Sequence, residues 1–279
     1  MNSASPEFPA LVRLYFATGK VIRALAGACS GVWEEFLWAY TGSGQREEMN
    51  RAIREGRPGR LADGDAQDAG LFAWEALAVS EPPFPGRGRL LLACADGGGV
   101  LAAFCRLGYE VVAFEPSGTL FEGLQAVAGT LPGCSAARAA IRDLVDAAGK
   151  RGGTLDGLVG EPFDAVVFGG ASFSQVFGRD DRLRLLKATR SLAPSGPLLL
   201  SFQTEWGAEP PGRLLLALRK ALLALGAPSA RERGDCITAS GGFTHLYSAA
   251  EIEDLAAQAG YRVAYIRLNE YPHALYIPA

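Results

Sequence analysis

The residues with the clearest chemical meaning lie in one stretch, Arg89 to Pro116, RLLLACADGGGVLAAFCRLGYEVVAFEP. Cys94, Ala95 and Asp96 run into three consecutive glycines, Gly97, Gly98 and Gly99, and a carboxylate, Glu115, follows about 20 residues after the turn. Glycines let the backbone turn sharply and approach a ligand without a Cβ in the way. A helix beginning there presents free N–H groups and partial positive charge to an anionic group. A carboxylate at the tip of the next strand accepts hydrogen bonds from ribose hydroxyls and disfavours a 2′-phosphate. Strand, Gly-rich turn, helix, strand, acid is the order of a nucleotide-binding βαβ unit. The spacing alone does not choose between a dinucleotide and another adenosine cofactor. Asp96 is poor company for a pyrophosphate and better suits a cofactor carrying positive charge.

The elements that must position these groups can be read on either side. Leu90–Cys94 is an apolar run of buried-strand length, Val100–Leu107 a helix ended by Gly108, and Glu110–Phe114 a second strand. A helix from about Thr119, a third strand over Cys134–Ala140, a short helix from Arg142, a strand over Phe163–Phe168, a helix over Asp180–Leu192 and a strand over Pro197–Phe202 follow. Alternation of this kind predicts a doubly wound α/β fold with a mostly parallel sheet. Ser248 caps a late helix with Glu251 as its capping-box partner, and Ala259-Gly260 stops it. Tyr261–Leu268 and Ala274–Ile277 are strands separated by too few residues for a parallel crossover, so they must be antiparallel.

Residues 1–84 hold no convincing strand. Arg13–Ala28, Val32–Tyr40 and Gln45–Glu55 have helical composition, and Asp65 can cap a helix reaching Val79. Arg46, Arg51, Arg54, Arg57 and Arg60 form a basic stripe that Glu47, Glu48 and Glu55 dilute, the pattern of a solvated helix face. Glu81-Pro82-Pro83-Phe84-Pro85-Gly86 reads as a linker. The expected organisation is a helical N-terminal cap over 1–84 and an α/β core over 85–279, with the crossover 204–247 hanging over the acceptor side. The 279 residues carry a net charge of −3, which argues against a general nucleic-acid grip. No apolar run is long enough for a membrane span, and the first residues lack the pattern of a signal peptide. Five scattered cysteines without a CxxC are expected as reduced thiols of a cytoplasmic protein with no zinc site, and two histidines exclude a multi-histidine metal site.

From residue 86 onward the chain resembles the class I S-adenosylmethionine-dependent methyltransferases. LLLACADGGG is similar to their Gly-rich first motif, VVAFEPS to the second, IRDLVD to the segment carrying an acid near the adenine amine, and FDAVVFGGASFSQV to the fourth motif. YSAAEIEDLAAQAGYRV resembles their late helix and sixth strand. The resemblance implies a seven-stranded sheet with an antiparallel last strand and S-adenosylmethionine as cofactor. It places the cofactor against Cys94, Ala95, Asp96, Gly97, Gly98, Glu115, Pro116, Asp143, Leu144, Gly169 and Gly170. The family's first two motif glycines are replaced here by Cys94 and Asp96, or by Ala95 with Gly97 retained. The acid that often precedes the motif is Leu92 or Ala93, with Asp96 able to serve instead. No Asn-Pro-Pro-Tyr motif follows the fourth strand, so methylation of a base or a glutamine amide is not indicated.

Methyl transfer needs alignment, charge placement and exclusion of water, and a general base only when the acceptor is a weakly acidic hydroxyl. His245, in a Gly-rich loop before the late helix, is the candidate base, with a hydrogen-bonded loop histidine as the plainer reading. His273 is expected to be structural. Ser172, Gln175, Glu205 and Trp206 could line the acceptor pocket, as could Gln203. The N-terminal aromatics Tyr15, Trp33, Phe36, Trp38 and Tyr40 are core residues or cover for that pocket. The expected activity is methylation of a small molecule, with a peptide acceptor open. The alternatives are a non-catalytic cofactor-binding or scaffold protein of the same fold and an NAD-dependent oxidoreductase.

Overall fold

The computed structural model of the chain describes residues 18, 26, 27, 29–55, 70–149, 153–155, 157–204, 212–228, 231–238 and 242–279. Its first half runs α1 (29–40), α2 (Ser43–Glu55), α3 (Ala73–Ser80), β1 (Gly88–Ala93), α4 (Gly99–Arg106), β2 (Tyr109–Phe114), α5 (Gly118–Ala128), β3 (Cys134–Ala137) and α6 (Asp143–Ala148). The second half runs β4 (Ala165–Phe168), a 3₁₀ turn (Ser172–Gln175), α7 (Arg179–Leu192), β5 (Leu198–Ser201), β6 (Gln203–Thr204), α8 (Arg213–Ala224), β7 (Asp235–Ile237), β8 (Phe243–Tyr247), α9 (Ala249–Gln258), β9 (Tyr261–Arg267) and β10 (His273–Pro278).

The chain divides into two compact units, Met1–Gly42 with Glu209–Arg231, and Ser43–Ala208 with Glu232–Ala279. The division therefore does not fall at residue 84: α2 and α3, expected in a separate cap, belong to the larger unit. Most of the helix expected over Arg13–Ala28, and the cap Asp65, lie outside the described residues. Within the smaller unit, Glu35 is buried and accepts from two arginines, Arg219 through two nitrogens at 2.9 and 3.0 Å and Arg231 at 2.9 Å. A buried carboxylate is retained when several charge-assisted hydrogen bonds offset its lost hydration.

In the larger unit the main sheet has the order β3-β2-β1-β4-β5-β10-β9. All pairs among β3, β2, β1, β4 and β5 are parallel, while β10 pairs antiparallel with both β5 and β9. The connection 268–272 is as short as the sequence requires. Central strands are apolar without a break because both faces are covered. Leu91 and Ala93 of β1, Val112 and Phe114 of β2, and Val166 and Phe168 of β4 enter one core layer. Their alternates Leu90 and Leu92, Val111 and Ala113, and Ala165 and Val167 enter the other. Within 204–247 the chain contributes β6, β7 and β8, a small second sheet of order β6-β8-β7 in the larger unit, and α8 to the smaller unit.

The end of α4 is tied to the start of β3 by a disulfide between Cys105 and Cys134. The expectation of five reduced thiols therefore holds only for Cys29, Cys94 and Cys236. No helix among the described residues is long and apolar enough to cross a membrane.

One glycine of the turn after β1 is fixed by two constraints. Gly98 has φ of 102°, and a Cβ there would lie 3.0 Å from Val127 Cβ and 3.3 Å from Leu124 Cα of α5. Gly98→Ala is expected to lower stability by about 2 kcal/mol through crowding and a left-handed backbone together. The measurement is a urea midpoint that falls at constant m-value; an unchanged midpoint contradicts the close approach.

Candidate functional site

The C-terminal ends of the central strands lie level. Ala93 pairs with Phe114 on one side and Phe168 on the other, so Cys94, Glu115 and Gly169 leave the sheet at one edge. Ligands bind at this edge in open parallel sheets. Cys94 and Asp96 both have positive φ, 55° and 47°, a backbone that non-glycine residues rarely adopt without local need. The turn ends at Gly98, the N-cap of α4, where no side chain caps the first N–H groups. Ala95, Gly97 and Gly98 are buried and Asp96 is exposed.

Glu115 is 0% exposed. Its Oε1 accepts from the Ser117 N–H at 3.0 Å, whereas its Oε2 has no hydrogen-bond partner. Burial, with the Asp96 charge, pushes this carboxyl up to about 7, against the Ser117 N–H, the nearby Arg54 cation and the Asp96 N–H, which pull it down. A buried acceptor left half-satisfied at a strand tip fits a ligand that offers hydroxyl donors.

Arg54, from the last turn of α2, reaches to 3.8 Å from Glu115 Oε1 and donates to Gln175 Oε1. Burial works against its charge, but Cys94, Glu115 and Asp96 hold its proton more tightly than usual. The Cys94 thiol is pushed up to about 12 by burial and stays neutral. Arg54, Cys94, Pro116, Ile141, Ser172 and Gln175 line one cavity of about 90 Å³. That is well below the roughly 300–1,000 Å³ of ordinary ligand pockets. The site is in a closed form with α2 across it. Asn50 fastens α2 by accepting from Phe243 N at 2.8 Å and donating to Phe243 O at 2.9 Å. Arg46 lies over the rings of Phe177 and Phe243, and Glu55 accepts from Gly118 N at 3.0 Å. The basic stripe is therefore not simply a solvated face. Arg46 and Arg54 turn inward, while Arg57 and Arg60 lie outside the described residues.

Beyond β4, Gly170 and Ala171 have φ of 58° and 53° and lead into the 3₁₀ turn. Ser201 holds this turn by donating to Phe168 O and accepting from Ala171 N, both at 2.9 Å. Ser172 is 1% exposed, and its hydroxyl faces the Cys94 thiol. Cys94, Pro116, Ser172 and Gln175 thus line one cavity. Asp143 and Leu144 do not join them. Asp143 accepts from Ala140 N at 2.8 Å within its own turn, and Leu144 is 0% exposed in the core. Ile141 and Arg142, just before them, line the cavity instead. Glu205 and Trp206 lie outside the described residues.

Two residues at this edge escape the sequence reading of the site. One is Arg54, whose partners are distant in sequence. The other is Glu75 of α3, 1% exposed, which accepts from Phe72 N at 2.9 Å. Its Oε1 lies 3.8 Å from where a Cβ on Gly169 would sit, and Cys94 O is 3.9 Å from the same point. An acid inside an otherwise apolar helix, FAWEALAV, was the available signal.

His245 is not in a loop. It lies on β8, is 1% exposed, and both ring nitrogens are engaged. Nδ1 is 2.7 Å from Asp235 Oδ1, and Nε2 is 3.1 Å from each oxygen of Glu251. Burial opposes its protonation, but hydrogen bonds to Asp235 and Glu251 outweigh burial and raise its pKa. A ring fixed between two carboxylates of its own scaffold is unavailable to take a proton from an acceptor. Glu251, whose N–H does bond Ser248 Oγ at 3.2 Å, directs its side chain to His245 rather than back to the cap. Glu232, Asp235 and His245 have the mutual spacing of a metal-ligand set, but Arg182 supplies the cation there, pairing with Glu232 and lying 3.5 Å from Glu251.

No family model matches the sequence, and no curated protein matches it. Solved structures do. The 1,6-didemethyltoxoflavin-N1-methyltransferase of Burkholderia thailandensis, with 1,6-didemethyltoxoflavin and S-adenosylhomocysteine bound, superposes with a TM-score of 0.55 at 15% identity, covering 86% of this chain and 92% of its own. The CcbJ methyltransferase of Streptomyces caelestis superposes with a TM-score of 0.50 at 15% identity, covering 82% and 96%. At such identities the likeness is one of fold. The chain has the class I S-adenosylmethionine-dependent methyltransferase fold.

Proposed function

We propose that the chain binds S-adenosylmethionine across the ends of β1, β2 and β4 and transfers its methyl group to a small organic acceptor. The observation that carries this reading is Glu115, a buried strand-tip carboxylate with one unpartnered oxygen beside a turn that only glycine can close. Its residues fit the cofactor in three places. Glu115 would accept the ribose hydroxyls. The N–H groups of the Cys94–Gly98 turn would face the cofactor's carboxylate end. Glu75, with the Cys94 carbonyl close by, stands where an anionic partner for the α-ammonium is missing from β1. When bound, the cofactor supplies a sulfonium methyl open to in-line attack. The protein's share is to orient the two partners and exclude water, and with His245 fully engaged no protein base is assigned.

In the closed form Arg54 neutralises Glu115, so cofactor entry requires Arg54 and the end of α2 to withdraw. The same contact favours a second reading, a protein that kept the fold and filled its ribose site with an arginine. Calorimetric titration with S-adenosylmethionine, S-adenosylhomocysteine and NAD separates the two. The first two are expected to bind at micromolar concentration or tighter and NAD not at all. Absence of heat with both adenosyl compounds, in folded protein, rejects the cofactor reading.

The Glu115 carboxyl predicts a pH dependence. Its pKa is raised in the folded apo protein, so its contribution to stability is fully present below the unfolded carboxylate range and is lost as pH rises through about 7. Ribose hydroxyls bond best to the ionised form, so affinity for S-adenosylhomocysteine should rise about tenfold from pH 6 to pH 8, the ratio expected for one group of pKa about 7 that must ionise on binding. Glu115→Gln should flatten both profiles and weaken binding by about 10-fold or more. A pH slope that survives the substitution assigns it to another group. Asn50→Ala should loosen α2 and speed association of S-adenosylhomocysteine in stopped-flow; an unchanged rate shows that α2 is not the gate.

A further inference from the structure

A second cleft, of about 540 Å³, lies between the start of α3 and the β9–β10 hairpin. Trp74, Leu77, Ile266, Leu268, Tyr271 and His273 line it. Its aromatic wall is built in register. Trp74 lies flat on Tyr271 at 5.0 Å with 6° between the planes, Tyr271 lies on Phe72 at 6.0 Å, and Trp74 is 4.9 Å from the His273 ring. The size suits a bicyclic or somewhat larger ring system.

The polar atoms of this wall are left over. His273 is 3% exposed, and its Nδ1 lies 2.7 Å from the Tyr271 carbonyl oxygen. A carbonyl oxygen only accepts, so Nδ1 carries the hydrogen and Nε2 presents a bare lone pair. That Nε2 has no hydrogen-bond partner among the described residues. The Trp74 Nε1 donor has none either, nor does the hydroxyl of Tyr265, whose ring meets His273 edge-on at 5.8 Å. Burial, with Arg267 nearby, lowers the His273 pKa against the Tyr271 bond, which keeps the ring neutral and its lone pair available. Buried polar groups are normally paired, and two orphans on lining residues of one aromatic cleft, with a third on the ring packed against His273, mark a place for a ligand that pairs them. A phenolic hydroxyl has the matching chemistry, since its O–H donates and its oxygen accepts.

We propose that this cleft binds a planar aromatic compound bearing a hydroxyl group, whose O–H is donated to His273 Nε2 while the ring packs against Trp74. His273 pairs in register with Ser201, which holds the turn after β4, so the cleft opens at the same sheet edge as the Glu115 site. The identification of this compound as the methyl acceptor rests on the reading in the preceding section; the binding itself does not.

The test compares 2-naphthol with 2-methoxynaphthalene on the full chain, by calorimetry. The two rings are alike, and only the first can donate. Naphthol is expected to bind at least about 10-fold more tightly, and His273→Phe, which keeps a buried ring, should bring the two to equal affinity. Because the chain has only two histidines, ¹⁵N spectra of the imidazoles give a readout on the unaltered protein. Naphthol should shift the His273 Nε2 resonance and leave the His245 nitrogens in place. Equal affinity of the two probes for the unaltered protein, or an unmoved His273 resonance at saturation, overturns the proposal. S-adenosylhomocysteine is titrated separately, so failure of the cofactor reading and failure of this cleft register in different experiments.

Discussion

Everything at the sheet edge follows from one buried carboxylate. Glu115 leaves β2 fully buried, and one of its oxygens finds no partner. A charge in that position must be neutralised, protonated or bonded by a ligand. The closed structure uses the first course, with Arg54 brought down on α2, and the raised pKa leaves the second within reach near neutrality. A nucleoside would supply the third. On the reading proposed above, Arg54 and a ribose would compete for the same carboxylate, and the position of α2 would be coupled to occupancy of the site.

Such a coupling would fit the polar packing of α2, which would be odd for a surface helix. Its buried residues are Arg46 and Asn50, not a stripe of leucines. Asn50 holds β8 by two hydrogen bonds, and Arg46 lies on aromatic rings. Such contacts are directional and few. They hold the helix in one position without the broad apolar interface that would make its release expensive. A cover that must move is better fastened in this way.

The α/β core was legible in the sequence because its signals are local. Leu90-Leu91-Leu92 is continuous since both faces of β1 are buried, Gly98 and Glu115 announce the turn and the strand tip, and five residues between two strands permit only a hairpin. The partners of Arg54 and Glu75 are not local. Arg54 meets Glu115 and Gln175 across more than sixty and one hundred positions, and on α2 it reads as one more solvated arginine. The glycines before His245 predict a loop there. The strand that contains it is defined by β7, whose Asp235 lies ten residues back across a Gly-rich return. Asp143 was matched to the right turn, but that turn uses the carboxylate for its own closure.

The two histidines show how satisfaction of hydrogen bonds separates structural from functional polar groups. Both are buried on strands of the same unit, and by type and exposure they are equivalent. His245 has a carboxylate on each nitrogen, and Arg182 balances the surplus negative charge, so both ring nitrogens are satisfied from within the fold. Its network joins β7, β8, α7 and α9, and its chemistry is exhausted by that task. His273 has one nitrogen fixed by the Tyr271 carbonyl and the other buried among aromatic rings without a partner. Fixing one nitrogen sets the tautomer of the other, which is how a histidine is prepared to receive a hydrogen bond from outside the chain. By this criterion His245, the candidate base, is consumed by the fold in line with its plainer reading, while His273, expected to be structural, keeps one unpartnered nitrogen.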